Sequence, residues 1–336
     1  MTSIADARVD PAKIERELAA LWRSEHEGAP RLTRAALWNV VAYAQHPHEH
    51  QLAEQVMPDV SVTVPQRTII VAEQEGETLD SWISANCHLV GAERQICSEE
   101  ITISAGKSRR GHIAPLVASL LLPNMPVAVW WLGDLPDENE KHADEMLDDA
   151  DRLIVDSSQF DSVTDLVRLR KITKSTRTAA ADLNWVRLEE WRTATAALFD
   201  PPAMRERLQN IRAVRITAGG DGSFGAQAES LLYCGWLMAQ LKSELEIDIA
   251  RGDEERHMQS IEIRFEDGST AAVNRDSGRN VVVGTGDANA EPLDCVVRLQ
   301  TRELAGLIAR QLRKPENDRV YEKALHAATE LAGRRG

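Results

Sequence analysis

The residues best placed to do chemistry are Gly220-x-Gly222-x-x-Gly225, which follow an apolar run and open a helical one. Three glycines so spaced can carry a dinucleotide pyrophosphate onto a helix N-terminus, and the acids that follow, Glu244 and Glu246, stand where a ribose would be met. Three features oppose that chemistry. Asp221 would set a carboxylate beside the pyrophosphate, Arg215 interrupts the preceding strand, and the later runs alternate like an antiparallel meander instead of repeating a βαβ unit. A plain glycine-rich strand-to-helix turn is therefore the expectation, with no cofactor bound.

Gly106-Lys107-Ser108 resembles the end of a phosphate-binding loop, but the glycine that should open that motif falls on Ile101. His46, His48 and His50 alternate beside Pro47, yet no Asp, Cys or His further on completes a ligand set. A surface cluster at a helix start is expected there, and no metal. Ser157-Ser158 follow a strand, where they could form a phosphate-binding edge or an ordinary N-cap. No GxSxG elbow or Cys/His neighbourhood suggests nucleophilic catalysis. Catalytic machinery is what the chain fails to show, so it reads as a non-enzyme.

Two further groups leave alternatives open. Cys87 and Cys97 would face each other if residues 90–93 turn a hairpin centred near Ala92. Opposed residues on antiparallel strands approach to about 4.5–5.5 Å at Cα, within disulfide reach. They are either a redox pair or two reduced interior thiols. The chain also has eight Trp against four Phe and three Tyr. Trp130, Trp131, Trp185 and Trp191 fall where strands end or helices begin, with Asp134 just beyond the first two. Core packing and a partner interface both suit them, because an indole offers large area with one polar handle.

The elements that must position these residues centre on Pro126–Asp134, PVAVWWLGD, which is apolar on both faces. Such a strand belongs inside a sheet covered by helices on each side. A helix over His112–Leu122 leads in, another over Glu138–Leu147 leads out, and a strand over Arg152–Asp156 follows. From Ile113 to Gly133 the chain is uncharged over a span long enough for a bilayer. Pro115, Pro123, Asn124 and Pro126 break it, so no membrane segment is expected.

Before this centre lie an amphipathic helix with Ile14, Leu18, Leu21 and Trp22 on one stripe, strands over Leu37–Tyr43 and Arg67–Ala72, and a helix over His48–Gln55. After it come a polar helix over Phe160–Arg177, a join at Thr176–Ala181, and a helical region over Asp182–Phe199. A strand over Ile211–Ala218, a helix over Ala226–Leu241, five short alternating runs and two terminal helices complete the pattern. The fold class predicted is an α/β N-terminal domain, with a mixed, mainly parallel sheet covered by helices, followed by an α+β domain with an antiparallel meander. The expected divisions are an N-terminal helix in 1–35, the α/β domain in 36–180 and the α+β domain in 181–336.

With 336 residues, 43% hydrophobic and 27% charged, the chain can bury a sizeable core, and two domains are the natural division. A formal charge of −14 opposes nucleic-acid binding, which needs clustered Lys and Arg. Four cysteines without a CxxC make neither a disulfide framework nor a zinc site, and MTSIADARVD lacks a signal-peptide core. A cytoplasmic location is expected.

Longer stretches carry a resemblance. IERELAALWR (Ile14–Arg23), SWISANCHL (Ser81–Leu89), QICSEEITI (Gln95–Ile103) and PNMPVAVWWLGD (Pro123–Asp134) occur in that order. DRLIVDSSQF (Asp151–Phe160) and DLNWVRLEEWRTATAALFDPP (Asp182–Pro202) follow. Together they resemble the OpcA family of glucose-6-phosphate dehydrogenase assembly proteins, most strongly from Arg67 to Pro202. The resemblance implies a non-catalytic partner that binds glucose-6-phosphate dehydrogenase, favours its active oligomer and activates it allosterically in the oxidative pentose phosphate pathway. It assigns no cofactor to Gly220–Gly225. The alternative is a nucleotide- or sugar-phosphate-binding enzyme that uses that turn.

Overall fold

A computed structural model describes residues 2–25, 32–90, 94–137, 140–219, 224–241, 245–252, 258–288, 291–300, 303–314 and 317–335. The strands form two sheets. In the first, the order is β1 (Thr2–Val9), β5 (Leu79–Val90), β6 (Arg94–Gly106), β4 (Gln66–Gln74), β3 (Trp38–Ala44), β7 (Val127–Trp131), β8 (Arg152–Val155) and β9 (Ala179–Asp182), with β2 (Leu32–Arg34) paired to β6. In the second it is β11 (Glu246–Arg251), β10 (Ile211–Ala218), β12 (Met258–Phe265), β13 (Thr270–Asp276), β14 (Val281–Ala288) and β15 (Glu291–Arg298). The helices are α1 (Ile14–Glu25), α2 (Pro47–Thr63), α3 (Arg110–Leu120), α4 (Lys141–Asp148), α5 (Val163–Ser175), α6 (Leu183–Arg187), α7 (Glu189–Leu198), α8 (Pro202–Glu206), α9 (Phe224–Leu241), α10 (Leu304–Arg313) and α11 (Arg319–Arg335). The architecture is mixed α/β, with a mainly parallel first sheet and an antiparallel-rich second one.

Two compact units result, each discontinuous in sequence. One comprises Met1–Val155, Lys171–Ala181 and Glu303–Asn317, and the other Asp156–Arg170, Asp182–Arg302 and Asp318–Gly336.

In the first unit, β7 runs parallel to β3 and β8, its two neighbours, and all five of its residues are buried. This is the doubly covered strand expected from its apolar faces. The uncharged stretch Ile113–Gly133 comprises the later part of the 11-residue helix α3, a turn with Asn124 in the left-handed region, and this strand with the start of its loop. Among the described residues no helix is long and apolar enough to cross a membrane. Helix α2 continues to Thr63, past the expected end and through Pro58. Ala53, Met57 and Val60 are buried along it, and that packing outweighs the one hydrogen bond a proline removes.

Asp10 caps the turn ahead of α1 by accepting the Ala12 N–H at 3.1 Å. Ile14, Leu18 and Trp22 of α1 are buried, as the stripe predicts. Trp22 packs with Ala85, Cys87 and Cys97, and the two cysteines, directly opposed on β5 and β6, form a disulfide. The turn between those strands lies outside the described residues. Three strands depart from the sequence expectation, among them β2, which pairs parallel with β6. Thr2–Val9 adds to β5 as an antiparallel edge, and Ala179–Asp182, expected as part of a join, extends the sheet beside β8.

In the second unit, β10, α9 and β11 form a parallel crossover, which corrects the expectation that the 244–250 run is antiparallel. A long intervening helix returns the chain in the same direction. From β12 onward the strands pair antiparallel with their sequence neighbours. Val214 and Ile216 of β10 are buried while Arg212 and Arg215 are exposed. The second sheet therefore has one open face, where a mid-strand arginine is at ease.

Candidate interaction site

In parallel sheets the loops beyond the carboxyl ends of the strands hold the functional surface. In the first unit those ends are Ala44 of β3, leading through Gln45 and His46 into α2, and Trp131 of β7, leading into Leu132–Asp137. The N-terminus of α2 is the position an anionic ligand would take. Glu49 fills it. Its buried carboxylate accepts the backbone N–H groups of Gln45 at 2.7 Å and His46 at 3.0 Å. Gly133 lies against that carboxylate with φ of 79°, and a Cβ there would stand 2.4 Å from Glu49 Oε1.

The loop is tied down by its neighbours. Asp134 offers its carbonyl to Trp131 Nε1 at 2.8 Å and to Gln45 Nε2 at 2.7 Å, while its side chain is on the exposed rim. Trp131 stacks on Tyr43 with centroids 4.4 Å apart. The Tyr43 hydroxyl donates to Glu73 Oε1, and Arg110 donates to Glu73 Oε2 through Nε at 2.9 Å and through Nη2. Burial, reinforced by Glu73, pushes the Tyr43 phenol far above its ordinary range. The Glu73 hydrogen bonds hold Arg110 above its ordinary value. The buried groups at this edge are thus committed to one another beneath an exposed rim of His46, His48 and Asp134. Such an arrangement suits recognition by shape and charge.

A second polar cluster forms in the other unit, where two separated motifs meet. Asp182 accepts the backbone N–H groups of Ser157 at 3.0 Å and Asn184 at 2.9 Å, and the Tyr321 hydroxyl at 3.2 Å. Asn184 Nδ2 reaches Ser157 Oγ at 3.2 Å, and Asp156 takes a two-pronged pair of 2.7 Å bonds from Arg187. Burial, helped by the Asp156 charge, raises the Asp182 carboxyl to about 6 despite the N–H groups that favour its ionised form. A folded-state value above the unfolded one means that Asp182 favours folding below pH about 4 and loses that contribution as pH rises to about 6. The loss is up to about 3 kcal/mol. Asp182→Asn keeps an acceptor for both N–H groups, so urea unfolding of the variant is expected to show a flatter stability profile from pH 4 to 7. An unchanged slope would assign the pH dependence to other groups.

The tryptophans expected to face a partner are interior residues. Trp130, Trp131 and Trp191 are 3% exposed and Trp185 is 1% exposed. Trp185 donates to Asp318 Oδ2 at 3.0 Å and lies under the Arg192 guanidinium, 3.3 Å from its ring centroid. The area of those indoles is used in packing within the chain. Asp134 alone of the five is exposed. His46 and His48 stack at 5.7 Å on the rim, and among the described residues no group of His, Cys, Asp or Glu could hold a metal ion. Gly220 and Gly222 lie outside the described residues, as does Glu244. Gly225 is described, and a Cβ on it would stand 2.0 Å from the Ser158 carbonyl oxygen, so close packing demands glycine there whatever the turn binds. Sequence reasoning missed Glu49, Gly133 and the Tyr43–Glu73–Arg110 chain. The one signal present was an acid three residues after a helix N-cap, the pattern of a capping box.

These features define a two-unit α/β protein whose sheet-edge site is closed by its own side chains. Residues 57–171 match the glucose-6-phosphate dehydrogenase subunit N-terminal domain of OpcA proteins, and residues 178–325 match the corresponding C-terminal domain. The chain belongs to the OpcA family. It is 32% identical over 178 residues to the OxPP cycle protein OpcA of Synechocystis, covering 52% of this chain and 36% of that protein. It is 31% identical over 194 residues to the protein of the same name from Nostoc punctiforme, covering 56% of this chain and 40% of that one. The chain thus spans well under half the length of these curated relatives. Among solved structures, a 3-ketoreductase from Actinomadura kijaniata covers 89% of this chain and 97% of its own at 12% identity, with a TM-score of 0.49.

Proposed function

We propose that this protein is a non-catalytic assembly factor that binds glucose-6-phosphate dehydrogenase and favours its active oligomer. The observation that carries the reading is that both halves of the chain match domains described as parts of a subunit of that enzyme. A protein that binds one oligomeric or conformational state more tightly shifts the population toward it by its differential affinity and needs no reacting groups. The closed edge of the first sheet supports this. Glu49 repels phosphate at the helix N-terminus where a nucleotide would sit, and Gly225 has a packing role that explains it without a ligand. In this reading the exposed rim of His46, His48 and Asp134 is the contact surface, its loop tied down by the buried Trp131 through the Asp134 carbonyl.

The test is a titration of the protein into the glucose-6-phosphate dehydrogenase of the same organism, with activity at sub-saturating substrate and light scattering read on the same mixtures. A saturable rise in activity together with a heavier species is expected. Asp134→Arg, a surface change that spares the fold, is expected to shift the midpoint by about tenfold or more. If neither activity nor mass responds, the assembly reading is wrong. If both respond but Asp134→Arg behaves as wild type, the contact lies elsewhere on the chain.

A further inference from the structure

The pair of strands that carries the disulfide has a second face with a different character. From Trp82 to Ala85 and from Glu100 to Ser104 the side chains alternate between the two faces. Ile83, Ala85, Ile101 and Ile103 are buried, while Trp82, Ser84, Thr102 and Ser104 stay partly exposed on the other side. The cross-strand register sets Trp82 opposite Thr102 and Ser84 opposite Glu100. Helix α2 borders this face with His50 and Glu54, and the result is a groove of about 400 Å³.

An open antiparallel face is often polar merely because water covers it. Three features here go further. The groove is concave, with a helix as one wall. Asn86 is buried on this face with its amide 3.3 Å from Glu100 Oε2, and Ser84 Oγ stands 3.4 Å from Glu100 Oε1, so the carboxylate is oriented from both sides. His50 Nε2 is buried in the groove wall without a hydrogen bond among the described residues, although Glu54 Oε1 lies 3.3 Å away. Glu54 is its ionic partner, and a ligand hydroxyl would add the aligned hydrogen bond that the pair lacks.

We infer that this groove is a binding site for an unphosphorylated sugar. Each sugar hydroxyl both donates and accepts, and the lining offers carboxylates, amides, hydroxyls and an imidazole in close array. Trp82 supplies an aromatic face for the apolar C–H side of a pyranose. The groove is large enough for one or two rings. Among the described residues its lining includes two carboxylates, Glu54 and Glu100, and no Lys or Arg, so a phosphate ester would meet repulsion. Its lining shares no residue with the rim proposed for the dehydrogenase, and it is tested on the purified chain alone.

The experiment is intrinsic tryptophan fluorescence and thermal shift against millimolar glucose, galactose, mannose, glucosamine, maltose and glucose 6-phosphate, with putrescine as an amine control. At least one unphosphorylated sugar is expected to give a saturable response in both readouts, with glucose 6-phosphate at least about tenfold weaker than glucose. Trp82→Ala should abolish the fluorescence response. Glu100→Gln, nearly isosteric and on an open face, should weaken binding by about tenfold even if the tryptophan variant folds poorly. The inference is overturned if no sugar gives a saturable response, if only putrescine does, or if Glu100→Gln binds as tightly as wild type.

Discussion

Replacing Arg67 by alanine is expected to remove about 3–5 kcal/mol of stability, the range found when one partner of a buried ion pair is deleted. Arg67 is 1% exposed. Its Nε donates to Glu99 Oε2 at 2.8 Å, and Nη1 donates to the Leu120 carbonyl at 2.6 Å and pairs with Glu15. Glu99, itself 3% exposed, also accepts from Trp22 Nε1 at 2.6 Å and pairs with Arg34. Because Glu15 and Trp22 belong to α1, one buried charge pair fastens that helix to β4 and β6. The alanine variant leaves a carboxylate in the interior with Arg34, a half-exposed partner, to balance it. Urea unfolding measures the loss, and limited proteolysis should show earlier cleavage within residues 14–25. The double change Arg67→Met with Glu99→Leu is expected to recover much of it, since apolar side chains carry no desolvation cost. A loss below about 1 kcal/mol in Arg67→Ala would place the pair with weak surface bridges.

Arg67 also shows what a sequence can and cannot disclose. The strand RTIIVA is legible because apolar runs bounded by breakers mark a covered strand, yet nothing local says that its first residue is buried against Glu99. Periodicity reports which face of an element is apolar, and it found β7, β8 and every strand of the second sheet. It is silent on which element covers that face. For the same reason α10, late in the chain, takes its place with α2 in the first unit, and the units are discontinuous. Turn chemistry located β12 to β14 through Asp267-Gly268 and Ser277-Gly278, whereas the direction of β11 depends on the long crossover of α9. The tryptophans mark the limit of composition. Their enrichment at interfaces applies equally to any setting with large area and one polar partner, and here Asp318 and the Asp134 carbonyl supply that partner inside the chain. The site was opaque because Glu49 and Gly133 are 84 residues apart and neither has meaning without the other.

That pair carries the last prediction. Gly133→Ala is expected to cost about 2–3 kcal/mol, for two reasons that can be separated. A non-glycine residue at φ of 79° costs about 1–2 kcal/mol from backbone sterics alone. The added methyl, 2.4 Å from Glu49 Oε1, must also displace the carboxylate that caps α2, forfeiting about 1 kcal/mol more. In a Glu49→Ala background only the backbone cost should remain, so a double-mutant cycle read by urea unfolding should give a coupling of at least about 1 kcal/mol. If the two changes add to within about 0.5 kcal/mol, the carboxylate is not what holds the loop. Under the proposed assembly role, Gly133→Ala should also weaken association with the dehydrogenase more than its loss of stability explains, because the displaced loop carries Asp134. Glu49→Ala alone, which keeps the glycine geometry but removes the cap and its charge, should weaken association less. The opposite order would give His46 and His48, at the N-terminus of α2, the larger share of that contact.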